Sequence, residues 1–229
     1  LVIDKFCWSS DEQISAIIKI ANYAEESLNG KSVIWELKSL QGRILDKGSL
    51  EISSEDVGLI EIGRIHPNIS EVDKAQRLDL EINIVGTSYQ NTYGLWIYPS
   101  NNLISQFTDV IITDTLGKKV IEELKNGGKV LWFPKHKLYE KQTISGLFQT
   151  DYWNYRMFKT ISENNKRPVS PGTLGILVNP EHPLFYDFPT DFHTNWQWFS
   201  IIKQSYPMIL DNFPSQYTCL LYTSDAADE

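Results

Sequence analysis

Apolar and polar positions alternate through the first hundred residues of the chain. Leu78, Leu80, Ile82 and Ile84 exchange with Asp79, Glu81 and Asn83 at period two, the mark of a strand with one face in a core and one in water. Runs rich in Ile, Val, Leu and aromatics predict strands over Ile14–Tyr23, Ser32–Ser39, Arg43–Leu50, Val57–Ile65, Arg77–Val85 and Thr92–Tyr98. Gln41-Gly42, between two of these runs, predicts a tight hairpin. Short strands separated by turn signals, with few helical patterns, predict an immunoglobulin-like β-sandwich over residues 1–99.

The pattern changes after the polar connection Pro99–Gln106. Asp109–Thr113 reads as a short apolar strand, and Leu116–Lys125 places Val120, Ile121 and Leu124 on one helical face. Gly127-Gly128 stops the helix and Lys129–Phe133 supplies the next strand. Strand, helix, glycine, strand predicts a βαβ unit with a right-handed crossover and a parallel sheet. Thr173–Val178 predicts a third strand and Trp196–Lys203 a helix, so residues 106–214 form an open α/β domain. This arrangement resembles the class I glutamine-amidotransferase-like (flavodoxin-like) fold, in a truncated form.

Pro171–Phe199 reads PGTLGILVNPEHPLFYDFPTDFHTNWQWF: an apolar run, two X-Pro turns, then Asp191, His193, Asn195, Trp196, Gln197 and Trp198 close together. Pro and Gly punctuation followed by polar and aromatic groups is the composition of a ligand-facing loop at a strand's end. The passage resembles the C-terminal region of bacterial glycoside hydrolase family 2 proteins of the β-galactosidase type, where G-I-L-x-x-P-x-H-P-x-x-x-x-F-P-T-x-F-H-x-N-W-Q-W recurs. WSSDE at Trp8–Glu12 and IANY at Ile20–Tyr23 are similar to the opening of a sandwich that follows that family's catalytic barrel. The resemblance implies a parent that hydrolyses a terminal β-linked sugar, a β-galactoside by family habit, through a retaining two-carboxylate mechanism. It places both catalytic glutamates upstream, so no catalytic residue is expected in this chain. The implied role is accessory: bracing the catalytic barrel of the same parent chain and touching oligosaccharide. A periplasmic or secreted setting is implied in the same way.

Cys219–Glu229 reads CLLYTSDAADE, and its back-translation accommodates the transposon-end adapter of sequencing libraries. Residues 219–229 are therefore expected to be an artefact, and the reading frame to be cut at both ends. Removing Asp225, Asp228 and Glu229 takes the net charge from −8 to −5. A mildly acidic chain disfavours nucleic acid and anionic membrane as partners. Without the tail only Cys7 remains, so no internal disulfide is expected.

Chemistry-bearing arrangements are sparse. No cysteine lies between Cys7 and Cys219, and Pro134-Lys135-His136 follows the second α/β strand where an amidotransferase places its nucleophile. No G-x-S-x-G elbow replaces it. Glu181, Asp187 and Asp191 sit on Pro-rich turns rather than the rigid strand ends that glycoside hydrolysis needs. Asp191 or Thr194 suits the start of the helix carrying Trp198. His182 and His193 stand eleven residues apart with no third ligand at metal spacing. Gly127-Gly128 follows a helix instead of preceding one, so it is not a phosphate loop. No metal or cofactor is expected. The candidate carbohydrate-binding or interface residues are Asp191, His193, Asn195, Trp196 and Trp198. Indole faces stack on pyranose C–H faces and amide or imidazole edges serve hydroxyls. The competing role is packing of the helix against the sheet by Trp196 and Trp198, with His193 and Asn195 fixing the loop.

Overall fold

Strands dominate the N-terminal part of the computed structural model, which describes residues 1–23, 26–100, 109–143, 155–167, 176–206 and 221–223. In chain order they are β1 (Val2–Ile3), β2 (Cys7–Ser9), β3 (Ala16–Asn22), β4 (Ser32–Ser39), β5 (Ile44–Glu51), β6 (Gly58–Ile65), β7 (Gln76–Ile84) and β8 (Gln90–Tyr98). They build a three-stranded antiparallel sheet, β1-β3-β6, and a five-stranded sheet, β2-β8-β7-β4-β5. Within the second, β2 runs parallel to β8 and the other pairings are antiparallel.

Period-two alternation decides which side chains meet. Ala16 and Ile18 of β3 and Ile65 of β6 share one core with Val33, Leu37, Leu78, Leu80, Leu95 and Ile97 from the five-stranded sheet. The intervening residues of β4 and β7 point outward, where Glu36 and Glu81 stand directly opposite each other. Lys38 relieves that like-charge pairing, with Nζ 2.7 Å from Glu36 and 2.6 Å from Glu81. Arg43 bonds back to Ser39 across the β4–β5 hairpin, and Gly42 at φ +84° takes the left-handed position.

The chain divides into two compact units. The first is Leu1–Asn102 together with Pro180–Asp191, and the second is Leu103–Asn179 with Phe192–Glu229. Pro180–Asp191 was expected to follow the α/β strand that precedes it. Instead it lies on the outer face of the five-stranded sheet. Trp96 and Tyr98 stand on that face because Leu95 and Ile97 take the core side of β8. Phe188 stacks on Tyr98 with ring centroids 6.2 Å apart, and Phe185 is buried.

The second unit contains β9 (Val110–Thr113), α1 (Lys118–Lys125), β10 (Lys129–Trp132), α2 (Tyr155–Asn164), β11 (Ile176–Val178), α3 (Phe199–Gln204) and β12 (Leu221–Thr223). β9 and β10 pair in parallel across α1, in register from Val110–Lys129 to Thr113–Trp132. Gly127 at φ +81° ends α1, and its amide donates to the Leu124 carbonyl. β11 departs from the expected third strand of that sheet: it pairs antiparallel with β12, Val178 opposite Leu221. Three residues in antiparallel register form a local ladder and need no crossover. Leu221–Thr223 thus forms a strand inside the tail that the sequence reading set aside as foreign. The earlier residues expected in the third strand, Thr173, Leu174 and Gly175, lie outside the described residues.

Candidate functional site

The Pro-rich segment separates its own candidate residues between the two units. Asp191 belongs to the first. Its Oδ2 lies 3.2 Å from Nη1 of Arg77, whose Nε also reaches Asp79 at 3.2 Å. The Arg77 guanidinium sits 5.7 Å from the Trp96 ring centroid, a cation–π contact on the outer face of β7 and β8. Leu40, Gln41, Pro189 and Thr190 complete a small recess there of about 190 Å³. The charge of Asp191 is thus spent on holding the segment to the sandwich.

His193, Asn195, Trp196 and Trp198 belong to the second unit. Trp196–Trp198 forms one 3-10 turn and α3 follows it, so the predicted single helix is a tight turn leading into a short α-helix. The N-cap position of the 3-10 turn is Asn195, whose side chain makes no capping bond, rather than Asp191 or Thr194 as expected from the sequence. Trp198 and Ile202, four residues apart, are buried at 3% and 1% exposure. Trp196 is 49% exposed, and His193 also faces solvent. Trp198 is therefore a packing residue, whereas Trp196 and His193 keep the exposure that a contact surface requires.

The remaining candidates are chemically quiet. Burial pushes the Cys7 thiol up to about 11, against a smaller opposing pull from Lys5. It stays protonated at neutral pH and is a poor nucleophile. Burial also raises the Tyr98 phenol, with Cys7 adding to the effect. His182 caps the turn at Pro183–Phe185 by accepting at Nδ1 from the Leu184 amide, 3.1 Å away. His136 stacks on Tyr206 with centroids 3.6 Å apart. Glu181 and Asp187 are exposed. Among the described residues no group of three His, Cys, Asp or Glu side chains stands close enough to hold a metal ion.

A cleft of about 460 Å³ lies between β3 on one sheet and β4, β7 and β8 on the other. Its floor is apolar, with Ile18, Leu28, Val33, Ile82 and Ile84. Sequence reading missed it because its walls come from strands far apart in the chain. The one local signal was the polar and aromatic run Ser88–Tyr93, SYQNTY, at the β7–β8 turn.

Residues 111–228, just over half of the chain, match the model of the family described as Domain of unknown function (DUF8487). The chain belongs to that family. Residues 12–99 match a second family, Domain of unknown function (DUF8488), so this match falls within the two-sheet unit. No curated protein matches the chain. No helix among the described residues is long and apolar enough to cross a membrane.

Proposed function

We propose that this chain is a non-catalytic accessory region of a glycoside hydrolase family 2-like protein of the β-galactosidase type. On this reading the first unit is an immunoglobulin-like sandwich and the second an incomplete class I glutamine-amidotransferase-like domain. The parent acts on terminal β-linked sugars of the β-galactoside class, in the periplasm or outside the cell, and its catalytic barrel is this region's partner. The observation that carries the reading is the use made of the resemblance-bearing passage. Its Pro-rich part is fastened to the sandwich through Asp191–Arg77 and Phe188–Tyr98, and its second indole is buried. Such groups brace a structure and leave bond-breaking to carboxylates elsewhere. The parallel β9–α1–β10 unit supports the α/β assignment.

The test is the uncut gene. An upstream barrel with two strand-end glutamates, about 5–5.5 Å apart as a retaining mechanism needs, is the expected result. A gene without a barrel overturns the reading, as does turnover of nitrophenyl β-galactoside by the chain alone.

A further inference from the structure

We propose that the cleft between the two sheets of the first unit binds a neutral sugar. The proposal rests on the accessory reading above and supplies the glycan-contacting surface that the Trp-rich segment only partly offers. At about 460 Å³ the cleft falls in the range of small-molecule sites, ~300–1,000 Å³. Tyr23, Tyr89 and Tyr93 stand around the apolar floor, and Tyr23 and Tyr89 are 75% and 52% exposed. Flat rings beside an apolar floor suit a ligand with a C–H face.

Charge and hydrogen bonding narrow the chemistry. Among the described residues Lys19 is the one ionised side chain in the walls, paired with Glu61 at 3.4 Å, and the Leu1 ammonium, also in the walls, donates to the Tyr93 hydroxyl at 3.2 Å, so both cations are already engaged. Gln90 and Asn91 supply amide edges. Asn22 is 6% exposed, and its Nδ2 donates to the Asp56 carbonyl at 2.9 Å, which fixes the amide orientation. Its Oδ1 is buried with no hydrogen-bond partner among the described residues. An unmet buried acceptor calls for a donor. Hydrocarbons and carboxylates bring none, whereas sugar hydroxyls do. The oxygen lies below the wall surface, so a hydroxyl reaches it only if the wall moves.

Isothermal titration of the full chain with methyl glycosides of galactose, glucose and mannose and with lactose tests this, alongside glucuronate and hexanoate as anionic controls. Saturable binding of a neutral glycoside is expected, with neither anion bound. Tyr89→Ala and Asn91→Ala should each weaken it by about tenfold, and Tyr186→Ala, at an exposed ring outside the cleft, should leave it unchanged. Absence of binding by folded protein overturns the proposal. So does equal binding of hexanoate, or binding that survives both cleft substitutions. These outcomes are independent of the upstream gene: a barrel found there with an inert cleft sinks this inference alone, and a sugar-binding cleft without a barrel sinks only the accessory reading.

Discussion

Gly48→Ala tests how tightly the sandwich core is drawn. Gly48 of β5 stands opposite Trp35 of β4, whose indole covers it and is only 8% exposed. A Cβ at Gly48 would lie 2.7 Å from Cε2, Cζ2 and Nε1 of that indole. Carbon atoms rest at about 3.5–4.0 Å, so the ring must retreat by roughly 1 Å. Trp35 also faces Ile82 across β7, and that side of the ring is occupied. Overpacking of this kind costs about 1–3 kcal/mol. Restricting the unfolded chain returns about 0.4–1 kcal/mol, which leaves a net loss of about 0–2.6 kcal/mol, centred on about 1.3 kcal/mol. The backbone at Gly48 is not in the left-handed region, so the clash alone is under test. Urea unfolding followed by near-ultraviolet circular dichroism gives the stability, and a double-mutant cycle with Trp35→Phe isolates the contact. The smaller ring should recover about 1 kcal/mol of the loss. A Gly48→Ala protein more stable than the parent, or a penalty indifferent to Trp35→Phe, would refute the reasoning.

Two further outcomes are expected. Asp191→Asn removes a partly exposed ion pair and should cost about 0–1 kcal/mol, shrinking further in 1 M salt; a loss above about 2 kcal/mol by urea titration would mean that Asp191 does more than pair with Arg77. The Cys7 thiol has its folded-state pKa raised, so its contribution is fully present below the unfolded value of 9.0 and disappears as pH climbs towards about 11. Thermal melts between pH 8 and pH 11 should therefore show a steeper alkaline loss in the parent than in Cys7→Ala, and parallel curves would contradict the assignment.

The strands were legible where burial is one-sided. Ser32–Ser39 was read to the residue, and Arg77–Val85 within one residue at each end, because their outward positions are mostly polar, Ile34 excepted. β1 and β2 escaped notice: two- and three-residue strands leave no period, and the parallel pairing of β2 with β8 depends on residues about ninety positions away. α2 was missed among aromatics that hide its turn-spaced Met157 and Ile161, both exposed. In the candidate segment, composition picked out Trp196 and Trp198 alike. Only the fold separates them, since a tight 3-10 turn sends one inward and leaves the other in water. Asp191 could not be assigned from sequence because its partner Arg77 is 114 residues away.

The attachment of Pro180–Asp191 to the first unit has a consequence for synthesis. The sandwich strands have all been made by Tyr98, yet the cover for Trp96 and Tyr98 begins about eighty residues later, at Pro180. At ~5–20 residues per second that interval lasts roughly 4–16 s. For that time a nascent sandwich presents two uncovered aromatic rings beside Arg77, a surface for chaperones or for neighbouring nascent chains. Slow codons between Asn102 and Pro180 would lengthen this exposure without altering a single residue of the finished protein.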